Sequence, residues 1–125
     1  MELDTRYVHL LLKDNLLIGT YKKGLHITLE VAHEIVRTRV SFMKGKKRIP
    51  AMIITKGIVD ITKPARDYLS SVEATEGLLA SAIIVEASFS NLMGNFFLRV
   101  HKTSMPVRIF YDSVRAEKWL KNFIV

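Results

Sequence analysis

Leu79-Ala80-Ser81-Ala82-Ile83-Ile84-Val85-Glu86 is the stretch that decides the fold. It is of strand length and apolar at successive positions, so neither of its alternating faces can be turned to water. The isoleucines and the valine at its centre are stiff at Cβ and suit an extended chain. Such a segment belongs inside a sheet that is covered on both faces.

Toward the C-terminus, Phe89, Leu92, Met93, Phe96, Phe97 and Val100 recur at helical spacing and predict a helix with its rings turned to the core. Asn91, Gly94, Asn95 and Leu98 then share its outer face, a narrow strip with one apolar knob that suits contact with another surface. Gly94 supports this, because a glycine inside a helix costs about 1 kcal/mol relative to alanine and asks for close approach of another backbone. Pro106-Val107-Arg108-Ile109-Phe110-Tyr111 reads as a last strand. Asp112-Ser113 caps a terminal helix with Ala116, Trp119, Leu120 and Phe123 on one side.

Toward the N-terminus, Thr62-Lys63-Pro64 marks a helix start with a threonine cap and an early proline, and Ala65, Tyr68, Leu69 and Val72 form its buried edge. Ile49 to Thr55 is a strand. Thr28 caps a helix whose Leu29, Ala32, Ile35, Val36, Val40 and Met43 recur at three- and four-residue intervals, with Glu30 near its positive end. Residues 6–12 and 16–21 are apolar runs joined by Lys13-Asp14-Asn15, the turn chemistry of a hairpin. Strand, strand and then alternating helices and strands predict one α/β domain over residues 1–125. Its sheet should have about five strands, mostly parallel with an antiparallel N-terminal hairpin, under about four helices.

Composition bounds the function. The chain of 125 residues has no cysteine, which excludes disulfides, thiolate metal sites and cysteine nucleophiles and fits a reducing compartment. Its start, Met1-Glu2-Leu3-Asp4, is acidic where a secretory signal is basic, and Leu78 to Val85 is too short to span a bilayer, so a cytoplasmic protein without membrane insertion is expected. The formal charge of +7 invites nucleic acid, but the only dense basic run is Lys44-Gly45-Lys46-Lys47-Arg48. It falls between a helix and a strand, with Gly45 as C-cap, and no aromatic residue interleaves it to stack on bases. Nucleic acid is therefore not expected as a partner.

Catalytic constellations are not legible. His33-Glu34-Ile35-Val36-Arg37 opens like a zinc-protease helix but places Arg37 where the second histidine ligand must stand. His9, His26, His33 and His101 fall in different elements without ligand spacing. Glu30 and Glu34 lie one turn apart, with Arg37 continuing the set as a charge ladder on a solvated face. No serine elbow or phosphate-cradling glycine loop is present, so the expectation is a protein that is not an enzyme and carries no cofactor or metal.

The element order, the helix opening at Thr62, Gly94-Asn95-Phe96-Phe97, and Arg108-Ile109-Phe110-Tyr111-Asp112 through Trp119-Leu120 together resemble the small bacterial STAS-like proteins. These are relatives of anti-sigma-factor antagonists, and the branch suggested is an uncharacterised bacterial one. The resemblance implies a regulatory module that binds a protein partner or pairs with itself as a homodimer. In the antagonists a serine in an Asp-Ser-x-Gly-like string opens the helix after this loop and is phosphorylated by the partner. Here Asp60-Ile61-Thr62-Lys63-Pro64 stands instead, so the phospho-serine motif is missing and Thr62 is the hydroxyl at that place.

Lys56, Lys63 and Arg66 beside Thr62 make this helix start a candidate for a partner or an anion, and Asn91, Gly94, Asn95 and Leu98 are the second candidate surface. An alternative expectation is an apolar or lipid-like small molecule. The fold family is sometimes grouped with lipid carriers, and Met43, Met52, Met93 and Met105 are adaptable wall residues.

Overall fold

The computed structural model describes residues 1–86 and 105–124. Strands β1 (Glu2–Asp4), β2 (Val8–Lys13), β3 (Leu16–Tyr21), β5 (Ile49–Ile54), β7 (Leu78–Ile84) and β8 (Val107–Phe110) form one sheet in the order β1-β2-β3-β5-β7-β8. β4 (His26–Ile27) and β6 (Asp60–Ile61) pair in parallel as a separate two-stranded sheet. The helices among the described residues are α1 (Leu29–Phe42), α2 (Lys63–Leu69) and α3 (Ser113–Leu120), with 3-10 turns at Glu73–Thr75 and Lys121–Phe123.

The hairpin forms as its turn residues dictate. Lys13 pairs with Leu16 across a two-residue loop in which Asp14 and Asn15 both take positive φ, +53° and +62°, the conformation that matches strand twist. The later pairings, β3 with β5, β5 with β7 and β7 with β8, are all parallel. β7, which contains the apolar run from Leu79 to Ile84, is an interior strand between β5 and β8. Its register slips by one residue against β5 between the Leu78 and Ser81 pairings, a bulge that turns Leu78 and Ser81 to the same side.

Both faces of the sheet are covered. On one, Val8, Leu10, Leu17, Ala51, Ile83 and Val107 pack against Ile35 of α1 and Met43 at its C-terminal cap, with Leu69 of α2 at the margin. On the other, Leu16, Met52, Ala80, Ala82 and Ile84 pack against Ala116 and Leu120 of α3, with Trp119 and Phe123 alongside. Crossovers of one hand that step in one direction along a sheet deliver their helices to one face, and α1 and α2 share a face accordingly. A third cluster, Ile27, Ala32, Ile58, Ile61 and Ala65, fills the corner between α1, α2 and the small sheet.

Several expectations change. The main sheet has six strands rather than about five, because Glu2-Leu3-Asp4 adds an antiparallel edge (Glu2 opposite Leu11, Asp4 opposite His9) that is too short and too polar for an alternation signal. In α1 the buried stripe is Ala32, Ile35, Val36 and Arg39, while Leu29 at the first helical position is exposed and Val40 half-buried. Val72 is 72% exposed because α2 ends at Leu69, capped at Ser70, before the helical period reaches it. The cap of α1 is Met43, and Gly45 with φ +79° lies in the turn beyond it, between the Met43 carbonyl and the Lys46 amide. The aromatic segment Phe89 to Val100 lies outside the described residues.

Candidate functional site

The loop between β5 and α2 leaves the carboxyl end of a parallel strand. It is tied down at each stage. Thr55 donates its hydroxyl to the Ile84 carbonyl at 2.7 Å, and its amide donates to the same oxygen at 2.9 Å. The amide of Gly24 donates to the Gly57 carbonyl at 2.8 Å, that of Val59 to Leu25 at 2.8 Å, and that of Thr62 to Ile27 at 3.0 Å. These bonds stitch the loop to residues 24–27. Gly57 makes the close approach with φ +92°, and a Cβ there would lie 3.1 Å from Cγ of Lys23.

On this frame Thr62 caps α2 as the sequence predicts, its hydroxyl accepting from the Ala65 amide at 3.3 Å, and the residue is exposed. Lys63 next to it and Lys56 at the start of the loop are exposed, and Val59 between them is 49% exposed. The cations are less available than their number suggests. Lys63 pairs with Asp67 at 3.1 Å, and Arg66 donates to the Ile61 carbonyl at 2.9 Å, closing the entry to the helix. Thr62, Lys63 and Arg66 thus share the start of α2, with Lys63 and Arg66 engaged within it, and Lys56 stands on the loop that leads to it. Asn91, Gly94, Asn95 and Leu98 lie outside the described residues.

A feature not read from the sequence lies beneath the corner. Between the sheet and the α1 layer is a cavity of about 80 Å³ lined mainly by aliphatic side chains, among them Leu10, Ile35, Ile53, Ile83 and Val107. Arg39, only 8% exposed, lines it too. Its Nη1 donates to the Ala74 carbonyl at 2.8 Å and its Nη2 to the Glu76 carbonyl at 2.9 Å, which holds the 3-10 turn ahead of β7. Its Nε is buried and has no hydrogen-bond partner. Desolvation lowers the guanidinium pKa from its usual value, a tendency opposed by Tyr21, Tyr68 and Glu76. Burial likewise pushes the Tyr21 hydroxyl up to about 12, against the pull of Arg39.

Arg39 follows Ala32, Ile35 and Val36 at the next step of the helical stripe. That coincidence of a charge with an apolar period is the signal that would have found it.

The methionines do not share a pocket: Met43 and Met105 belong to the core under α1, Met52 to the opposite face, and Met93 is outside the described residues. His9 pairs with Glu2 at 2.6 Å, His26 with Asp60 at 3.0 Å, and His33 meets the Tyr68 ring edge-on at 4.1 Å. Among the described residues no three metal-ligating side chains converge, and no helix is long and apolar enough to cross a membrane. Glu30, Glu34 and Arg37 are all exposed, as a charge ladder requires.

Layer order and topology define an α/β fold with a mostly parallel sheet. A crystal structure of an uncharacterized protein from the DUF3478 family of Shewanella loihica PV-4, described as having a SpoIIAA-like fold, superposes with a TM-score of 0.60 at 17% identity. The match covers 90% of this chain and 91% of that one, and it supports the STAS-like expectation at the level of fold. The chain belongs to the family described as Domain of unknown function (DUF7793), whose model matches residues 10–124. No curated protein matches.

Proposed function

We propose that this protein is a non-enzymatic regulatory module that docks a protein partner, or a second copy of itself, at the corner formed by Lys56, Val59, Thr62 and Lys63. The carrying observation is Val59, half-exposed between exposed lysines on a loop held by backbone hydrogen bonds to a neighbouring segment. A rigid apolar knob in a polar rim matches the anatomy of a small interface, and little ordering entropy remains to oppose docking. The sheet supports the same reading: its parallel strands step in one direction, so no reversal of strand order opens the crevice in which doubly wound enzymes bind substrates. With threonine in place of the phospho-serine string, docking here does not follow the antagonists' switch residue for residue.

Capture from the native cells with tagged wild type and with the Lys56→Glu/Val59→Glu double variant tests the proposal. Both substitutions are at exposed positions, so folding should be unchanged by circular dichroism. A partner, or a second copy seen by sedimentation, that is held by the wild type and lost in the variant is expected. Equal recovery by both forms would place docking elsewhere.

The cavity favours a second reading, the binding of a small molecule with apolar character. It is lined mainly by aliphatic side chains, as ligand cavities are, and lies between the sheet and the α1 layer, beneath the docking corner.

A further inference from the structure

We propose that the cavity under α1 is a binding site for a short-chain carboxylate, its anionic head held by Arg39 and its tail among the aliphatic side chains of the sheet; this deepens the small-molecule reading and rests on it. Arg39 is buried, and among the described residues no carboxylate ion-pairs with it. The sequence from 87 to 104 contains no aspartate or glutamate, so that segment supplies no counter-charge either. Glu76 is exposed: its backbone carbonyl accepts from Arg39, while its carboxylate favours the charged guanidinium only from beyond ion-pair distance. Buried charges are normally paired, because an isolated one forfeits its hydration without return.

Two of the guanidinium nitrogens have a structural task in holding the turn at Ala74 and Glu76. Nε has none. A carboxylate oxygen is the acceptor that would satisfy both this donor and the charge, through a charge-assisted hydrogen bond. Size limits the remainder of the ligand. The volume of about 80 Å³ exceeds the roughly 30 Å³ of a water and falls short of the roughly 150 Å³ that admits benzene, which leaves room for a chain of about two or three carbons. Gly19 contributes to that room, since a Cβ there would reach Cδ1 of Ile53 and Cδ2 of Leu10 at 3.4 Å.

Titrations of the wild-type protein with propionate and with propan-1-ol, followed by amide and methyl chemical shifts, test the proposal. Both probes have the same carbon count, and so few atoms bind weakly, so the titrations run into the millimolar range. Propionate should move signals of Arg39, Ile83 and Val107 and bind about tenfold or more tightly than the alcohol. Arg39→Met should lose that preference while still admitting the alcohol. Equal affinity for the two probes in the wild type would overturn the carboxylate assignment and leave the small-molecule reading standing, whatever the stability of the variant. Binding of neither, or propionate shifts confined to Lys44–Arg48, would overturn both.

Discussion

Arg39, buried, and Tyr21, half-buried against the same core cluster, carry the perturbed chemistry of this protein beneath α1. The Tyr21 hydroxyl is kept protonated by burial, with its pKa at about 12 against an ordinary value of 10.0. The sign of the linkage follows. Below pH 10 both folded and unfolded chains hold this proton; between pH 10 and 12 the unfolded chain loses it first, so stability falls as pH rises. The loss attributable to this group approaches about 2 to 3 kcal/mol by pH 12. Urea unfolding of wild type and Tyr21→Phe at pH 8 and pH 11.5 should show a shallower decline in the phenylalanine variant; parallel declines would mean that the hydroxyl is hydrated in the folded state.

Thr62 makes the opposite point. Its role as a cap was legible from Thr62-Lys63-Pro64 alone, because a cap is a local arrangement of a side chain and an amide three residues on. The engagement of Lys63 and Arg66 was legible only in part. An i,i+4 pair such as Lys63 and Asp67 is written in the spacing, whereas the aim of Arg66 at the Ile61 carbonyl depends on how the loop enters the helix.

At the scale of elements, β7 was readable because a strand covered on both faces must be apolar at every position, and the structure seats it between two parallel neighbours. The hairpin was readable from its turn. β1, β4 and β6 were not, since strands of two or three residues carry no period and are fixed by partners far along the chain, as Glu2 is by Leu11 and His26 by Asp60. Arg39 escaped for a related reason: sequence patterning assigns cations to the solvated face, and the Ala74 and Glu76 carbonyls that draw it inward belong to a turn some 35 residues away. β3 carries one further consequence. Gly19 lies inside a strand without positive φ, and its nearest neighbours are side chains that a methyl group would meet in ordinary contact. Gly19→Ala should therefore stabilise the fold by about 0.5 to 1 kcal/mol, the usual difference between the two residues in a strand. A rise in thermal midpoint checks this; a fall would mean that the sheet cannot spare the space beneath α1.

For the whole molecule, a mixed sheet between one layer of α1 and α2 and another of α3 leaves the β5–α2 corner as a framed, partly apolar prominence above a cavity that holds a buried cation. Docking at the corner is the central claim. Amide hydrogen exchange of the protein alone and bound to the partner it captures measures this directly. Docking there should slow exchange across residues 56–66 on binding and leave α3 unchanged on the opposite face. Protection confined to α3, with residues 56–66 exchanging as in the free protein, would contradict it.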